Sequence, residues 1–133
     1  MKLIEWTKDF DTGISDIDSD HRLIISYINE LGTKGSDRGL LTKEFINKLV
    51  DYTSMHFARE EAILIKCGYP DLKAHLEEHQ WFKEEVYRMC QDIVQPDGIL
   101  NESVHQILGR WWVHHILESD HAYVPYLHAK GIS

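Results

Sequence analysis

Two histidines, His75 and His79, lie four residues apart in the segment KAHLEEHQW, residues 73–81. Imidazole is the commonest protein ligand for metal ions. In an α-helix, residues four apart differ by about 40° in direction, so both rings would face one point. The spacing is close to that of the zinc-protease motif, in which a glutamate directly follows the first histidine. Leu76 occupies that position here, which argues against a zinc protease.

Two further segments have related spacings. In HFARE, residues 56–60, His56 and Glu60 are also four apart. In HHILESD, residues 114–120, His115 precedes Asp120 by five residues, which is about 140° of rotation in a regular α-helix. Two interpretations follow. Either the helix loosens there into a π-bulge, which is frequent at functional sites, or Asp120 does not join the site.

The elements that must carry these residues are predicted to be helices. Inward positions step by three and four residues in four segments, roughly 19–33, 41–66, 71–94 and 101–119. Stretches that contain Gly or Pro separate the segments, at 31–39, 67–71 and 95–98. Pro70 and Asp71 suit a helix start, and Asn101 suits an N-cap.

Short connections between four helices favour an up-down-up-down bundle. The residues before the first helix form an irregular N-terminal arm that Trp6 and Phe10 would anchor, and a short C-terminal tail would follow the last helix. We therefore predict an all-α four-helix bundle that occupies residues 1–133 as a single domain.

Composition excludes several classes of partner. The chain has 14 Lys and Arg against 22 Asp and Glu, a formal charge of −8, and no long basic run. Nucleic acid and anionic membranes are therefore poor candidate partners. We expect no signal peptide and no membrane span. Two cysteines, Cys67 and Cys90, make no disulfide framework, so we expect helix-packing thiols in a reduced, cytoplasmic context.

The inward stripes of the four helices contain polar residues where apolar ones are expected. These are His21, His56, Glu60, His75, His79 and His115. A single buried polar residue is commonly a hydrogen-bonded core residue. Six on four stripes indicate a metal site in the bundle core, because burying them without partners would cost several kcal/mol for the carboxylate alone.

The size of this set bears on the metal. With Asp120 included, the set has five imidazoles and two carboxylates, which is too many for one tetrahedral zinc. Two octahedral ions offer about 12 coordination places, and these side chains with one solvent bridge fill about 11 of them when both carboxylates bridge. Imidazole and carboxylate ligation with one open position suits iron and O2 chemistry.

The sequence resembles the hemerythrin family, specifically the single-domain bacteriohemerythrins. The segments that carry the resemblance are DSDH (18–21), HFAREE (56–61), HLEEH (75–79), WWVHHILESD (111–120) and YVPYL (123–127). The family's ordered set H…HxxxE…HxxxH…HxxxxD is present in order and spacing, including the carboxylate five residues after the last histidine.

The resemblance implies a site and an activity. One non-heme iron would be held by His75, His79 and His115, and the other by His21 and His56. Bridges between them would be Glu60, Asp120 and an oxo or hydroxo group, and the second iron would stay open to O2. The diferrous centre of such proteins binds O2 reversibly as hydroperoxide.

The resemblance also implies a monomer that stores, delivers or scavenges O2 and has no catalytic residues. An O2-consuming client or a reductase would be its protein partner. Two other uses of the same site stay open: a di-iron enzyme of the peroxidase or nitric oxide reductase type, and an O2 or redox sensor. A ferritin-like enzyme fits less well, because both Glu-x-x-His strings, 102–105 and 118–121, fall in one segment.

Two positions depart from the family pattern. Asp20 stands where the family commonly has Gln, and we expect little effect because it lies outside the ligand set. Trp112 stands where the family usually has an aliphatic residue that lines the O2 pocket. Our hypothesis is that Trp112 narrows this pocket and tunes O2 kinetics and autoxidation.

The remaining polar and aromatic residues are predicted to have ordinary roles. Surface positions or local hydrogen bonding are expected for His105, His114, His121 and His128. Packing in the core or the arm is expected for Trp6, Trp81 and Trp111. Glu61, Glu77 and Glu78 are predicted to lie outside the ligand set, at the rim of the site or in solvent.

Overall fold

A computed structural model describes residues 3–34, 39–93 and 102–133 of the chain, and its regular elements there are helices. They are a 3-10 turn at Lys8–Phe10, α1 at Ser15–Lys34, α2 at Gly39–Cys67, α3 at Leu72–Ile93, α4 at Glu102–His114, a π-helix at His115–Asp120 and α5 at His121–Ala129. α1 packs on α2 and α4, and α2 packs on α3. The predicted all-α four-helix bundle is confirmed.

The last helix of the bundle is longer than predicted. The structure runs from α4 through the π-helix into α5 without a break, so residues 121–129 are helical and do not form a tail. Pro125 lies inside α5, where a proline costs about 3 kcal/mol or more. Tyr123 and Leu127 are fully buried in α5, and burial of such side chains contributes about 1.5–3 kcal/mol each, which offsets that cost.

The turn between α2 and α3 has a defined geometry. Gly68, in the left-handed region at φ +67°, donates its N–H to the Ile65 carbonyl at 3.1 Å. The Tyr69 N–H donates to the Leu64 carbonyl, also at 3.1 Å, which completes a Schellman motif. The His75 N–H then donates to the Asp71 carbonyl at 3.2 Å as α3 begins. This tight reversal sets α3 against α2.

The core consists of two apolar clusters on either side of a polar layer. The larger cluster includes Ile24, Ile28, Leu49, Phe57, Phe82, Val86, Leu108 and Trp112. The smaller includes Ile14, Ile17, Leu64, Tyr69, Tyr123 and Leu127. On each bundle helix the predicted histidines and carboxylates fall between residues of the two clusters, which places them in one layer across the bundle.

Several predictions about single residues can be compared with the structure. Trp6 and Trp111 pack against the larger cluster, as predicted. The prediction for Trp81 is wrong: its side chain is 51% exposed, because it follows the buried His79 by two residues, about 200° around α3. Cys67 packs against the smaller cluster. The structure does not describe residues 35–38 and 94–101, and the predicted N-cap Asn101 is among them. It also does not describe the side chains of Cys90 and His105.

No helix within the described ranges is both long enough and apolar enough to cross a membrane.

Candidate metal centre

The polar layer contains two groups of potential metal ligands. One group is Glu60, His75, His79 and His115, and the other is His21, His56, Glu60 and Asp120. Within each group, one nitrogen or oxygen atom from every residue lies within 4.8 Å of the others. All seven side chains are buried. The structure therefore brings together all seven residues predicted from the sequence.

Glu60 belongs to both groups through its two oxygens. Oε1 lies 2.5 Å from His75 Nε2 and 3.1 Å from His79 Nε2. Oε2 lies 3.3 Å from His56 Nε2 and 4.0 Å from His21 Nε2. One oxygen thus faces each group, which is the arrangement that a carboxylate bridging two cations requires.

Asp120 spans the two groups in the same way. Its Oδ1 lies 3.2 Å from His115 Nε2 and 3.3 Å from His75 Nε2. Its Oδ2 lies 2.9 Å from His21 Nε2 on α1. The two carboxylates therefore connect the same pair of histidine sets from two different helices.

The π-helix explains how Asp120 enters the site. Residues His115–Asp120 have π geometry, in which hydrogen bonds join residues five apart and not four. Residues i and i+5 therefore come to the same side, and both His115 and Asp120 are buried. Of the two interpretations left open by the spacing, the π-bulge is the one that the structure shows.

The unpaired polar atoms of the layer fit bound cations. The Nε2 atoms of His21 and His56 and both oxygens of Asp120 are fully buried, with no hydrogen-bond partner among the described residues. Buried polar groups are normally satisfied, and a carboxylate facing an imidazole nitrogen without a hydrogen bond between them suits a shared metal ion. The imidazole and carboxylate donor set suits divalent first-row metal ions, iron among them.

The carboxylates of the layer favour their charged forms. Burial acts to raise the pKa of Glu60, but the close imidazole nitrogens of His56, His75 and His79 hold it well below its usual value. For Asp120, burial and the neighbouring Glu60 charge also act to raise the pKa, and the charge of His115 with the close ring nitrogens of His115 and His21 holds it low. Both groups are thus acceptors ready for cations.

His56 and His75 show the complementary shift in the absence of metal. Burial lowers the pKa of His56, but the nearby carboxylates of Asp20 and Glu60 outweigh it and raise the value to about 9. For His75, contacts with Asp120 and Glu60 outweigh burial and raise the pKa to about 10. Protons therefore neutralise the carboxylates until a metal replaces them.

Three carboxylates outside the seven contact the far ring nitrogens of the histidines. Glu61 lies 2.7 Å from His79 Nδ1. Glu78 lies 3.3 Å from His115 Nδ1 and accepts a hydrogen bond from Ser119. The third is Asp20, at 2.9 Å from His56 Nδ1. Such partners fix the tautomer and the orientation of a metal-binding imidazole.

These contacts refine the sequence predictions. Glu78 is partly exposed at the rim, as predicted, but it also contacts His115. Asp20, which was expected to have little effect, contacts His56 directly. Sequence reasoning missed Tyr123, whose hydroxyl donates to Glu60 Oε2 at 2.9 Å. Only its place in the segment YVPYL, beyond the predicted helix, could have drawn attention to it.

Aromatic rings cover the layer on one side. Phe57 stacks on His79 with ring centroids 3.7 Å apart, and Trp111 stacks on His115 at 4.5 Å. Trp112 is fully buried, with its ring centroid 6.2 Å from that of His21 and 6.0 Å from that of His56. Trp112 therefore adjoins the group that was predicted to bind O2, and its part in an O2 pocket stays a prediction.

The other histidines lie apart from the layer or make local contacts. His114 is exposed. The ring nitrogens of His121 lie 2.7 Å from the Ile116 carbonyl and 3.2 Å from the Asp11 carbonyl, so this histidine connects the π-helix to the N-terminal arm. His128 lies beside Gly13 in the arm. These positions agree with the predicted surface or local roles.

Comparisons with known proteins agree with this geometry. A family model described as the hemerythrin HHE cation binding domain matches residues 12–127. A bacteriohemerythrin of Stenotrophomonas maltophilia is 35% identical, over 97% of this chain and 84% of its own length. A bacteriohemerythrin of Methylococcus capsulatus is 30% identical, over 97% of this chain and 100% of its own.

A solved structure supports the same assignment. A wild-type hemerythrin crystal structure superposes with a TM-score of 0.89 at 27% identity, covering 95% of this chain and 98% of that chain. The family model spans most of the sequence, and the helices, the π-helix and the buried ligand layer are consistent with it. The chain belongs to the hemerythrin family.

Proposed function

We propose that this protein binds O2 reversibly at two non-heme iron ions in the polar layer of the bundle. One observation carries the proposal: Glu60 and Asp120 each direct one carboxylate oxygen toward one histidine group and the second oxygen toward the other group. Two metal ions with shared carboxylates account for this arrangement, whereas a single ion would leave one group unused.

The residues would divide between the ions as the two groups suggest. His75, His79 and His115 would hold one iron, and His21 and His56 the other, with Glu60 and Asp120 as bridges. When bound as ferrous ions, such a pair would supply the two electrons that reversible O2 binding uses. His21 and His56 offer one imidazole fewer than the other group, so their side of the layer is the proposed O2 site.

The surrounding residues support binding in preference to turnover. The layer is buried, and Trp112 and Phe57 pack against it on the side of the larger apolar cluster. An apolar wall excludes water and slows proton delivery, on which release of reduced oxygen products depends. The Tyr123 hydroxyl donates its hydrogen bond to Glu60. Burial and the nearby carboxylates hold the pKa of Tyr123 well above its usual value, so this hydroxyl keeps its proton.

We further propose that the chain acts as a single domain and as a monomeric O2 carrier without an enzymatic cycle. Its proposed protein partners are an O2-consuming client and a reductase that restores oxidised iron. The names of the relatives from Stenotrophomonas maltophilia and Methylococcus capsulatus, both bacteriohemerythrins, are in line with this proposal.

The test is spectroscopic. The iron-loaded protein is reduced under anaerobic conditions, exposed to air and then purged with inert gas. The proposal expects a ligand-to-iron charge-transfer band that appears with O2 and disappears on purging over repeated cycles. Irreversible oxidation in the first cycle, or steady consumption of added peroxide or nitric oxide, would instead indicate an enzyme.

A further inference from the structure

Asp20 is a buried carboxylate on the far side of His56 from Glu60. Its Oδ2 lies 2.9 Å from His56 Nδ1, whereas Glu60 approaches the Nε2 atom of the same ring. The Tyr52 hydroxyl donates to Oδ1 at 2.9 Å, and Arg59 Nη1 lies 3.0 and 3.2 Å from the two oxygens. Burial of a charge is costly unless it is paired, and these donors provide the pairing.

This contact determines which nitrogen of His56 faces the metal layer. With Asp20 as the acceptor, Nδ1 keeps its proton, so Nε2 is the nitrogen that gives up its proton and offers a lone pair when a metal binds. His56 belongs to the group that also contains His21, Glu60 and Asp120. Its Nε2 lies 3.3 Å from Glu60 Oε2 and has no hydrogen-bond partner among the described residues. Asp20 therefore presets both the tautomer and the orientation of the ring.

Asp20 also differs from the other two carboxylates behind the histidines. The side chains of Glu61 and Glu78 are 25% and 39% exposed, whereas that of Asp20 is 2% exposed. Water weakens the field of an exposed charge, so a buried carboxylate acts more strongly on its neighbours. The other histidine of the same group, His21, has no partner for Nδ1 within the described ranges.

We propose that Asp20 is a positioning residue that holds His56 and favours the ferric state of the iron held by His21 and His56. This inference rests on the proposed iron site. A carboxylate on the far nitrogen of an imidazole makes the near nitrogen a stronger donor, and a stronger donor favours the more highly charged ion. Asp20 would thereby set the balance between holding O2 and releasing it.

The primary test compares reduction potentials of iron-loaded variants in an anaerobic redox titration. Asp20→Asn keeps the size and one acceptor oxygen but removes the charge. At a fixed solution potential we expect the ferric-to-ferrous ratio of Asp20→Asn to be about tenfold lower than that of the wild-type protein. This corresponds to a reduction potential about 59 mV higher for a one-electron couple. An unchanged or lower potential in Asp20→Asn would overturn the inference.

Arg59→Met provides a second variant with the opposite expected sign. It removes the cation that partly neutralises Asp20 but leaves the contact with His56, so the potential should fall. Arg22→Met is the matched control, because Arg22 is 60% exposed and pairs with Asp11 away from Asp20; its potential should not change. If Asp20→Asn and Arg59→Met shift the potential in the same direction, general loosening explains both and the inference fails.

A structural readout that needs neither iron nor O2 completes the test. In the Zn²⁺-loaded protein, ¹H–¹⁵N spectra should show His56 bound through Nε2, with an Nδ1 proton that moves upfield in Asp20→Asn. Coordination through Nδ1 would overturn the inference. If Asp20→Asn does not fold, Arg59→Met and the wild-type spectrum still decide.

The outcomes separate this inference from the proposed function. Failure of wild-type protein to bind O2 reversibly, with the potential shifts as expected, rejects the O2 carrier and retains Asp20. Reversible O2 binding with unchanged potentials rejects the role of Asp20 alone. If wild-type protein does not take up iron, both the proposed function and the inference about Asp20 are rejected.

Discussion

The Oδ2 atom of Asp120 lies 2.9 Å from the Nε2 atom of His21, which joins the last helix of the bundle to the first. Both side chains are fully buried, and within the described residues neither atom has a hydrogen-bond partner. The contact exists because the π-helix turns Asp120 inward. The proposed metal ion, bound by both atoms, would account for two such groups facing each other in a buried layer.

Removal of the Asp120 carboxylate should impair metal binding. Loss of a residue that only contacts a metal ligand typically lowers metal affinity by roughly 10–100-fold. In Asp120→Ala we expect a larger loss of iron affinity, because a ligand itself is removed. The bound iron per chain, measured by elemental analysis after desalting, should fall accordingly. Glu118→Ala is the control, because Glu118 lies exposed on the same π-helix. Equal iron content in the two variants would contradict the assignment of Asp120.

Loss of the Tyr123 hydroxyl should destabilise the fold. In Tyr123→Phe the ring stays, but Glu60 loses a buried donor at 2.9 Å. A hydrogen bond to a charged group contributes about 1.5–3 kcal/mol, and we expect a loss of this size in the metal-free protein by urea unfolding. Tyr126→Phe removes an exposed contact with the Gly68 carbonyl and should cost much less. Similar losses in both variants would contradict this role.

The stability of the metal-free protein should fall as pH rises from neutral to about 10. Hydrogen bonds and nearby carboxylates outweigh burial and raise the pKa of His56 and His115 to about 9 and that of His75 to about 10. These folded-state values exceed the unfolded value of about 6.5, so the stabilisation is complete below pH 6.5 and is lost as pH passes 9–10.

Urea midpoints at pH 7 and pH 10 measure this effect. The metal-loaded protein is the comparison, because bound ions replace those protons and should remove most of the dependence. A metal-free protein that is as stable at pH 10 as at pH 7 would show that the histidines do not carry these protons. Proton release on metal uptake at pH 7, followed with an indicator dye, checks the same point.

Replacement of Trp112 should change O2 kinetics. The indole is fully buried beside the His21 and His56 rings, so Trp112→Leu would open space next to the proposed O2 site. We expect faster O2 association in stopped-flow measurements and a shorter lifetime before autoxidation. The stability cost should stay below the roughly 3–5 kcal/mol of a core Trp→Ala change. Trp81→Leu, at a 51% exposed position, is the control. Unchanged rates in Trp112→Leu would reject the hypothesis.

Much of the fold was predictable because apolar and histidine positions repeat with a helical period. The helices begin and end within a few residues of the predicted segments up to residue 114. The extension through α5 was not predictable from Pro125, which normally ends a helix. The helix continues because Tyr123 and Leu127 are buried in the smaller cluster. Such tertiary contacts cannot be seen in a local sequence pattern.

The candidate site was predictable to a different extent for each kind of residue. His56, Glu60, His75 and His79 lie on regular helices, where a spacing of four is sufficient. Asp120 required either the resemblance or the structure, because a π-helix changes which residues share a face. The contact of Asp20 with His56 joins two helices, so no spacing within one helix could predict it.

We propose that two iron ions hold O2 and return it intact. The most direct measurement is the O2 taken up and recovered by the fully reduced protein, followed in a sealed cell with an oxygen electrode and normalised to bound iron. We expect uptake of one O2 per two irons, with equal recovery when the O2 pressure is lowered. Uptake without recovery, or a different ratio of O2 to iron, would contradict it.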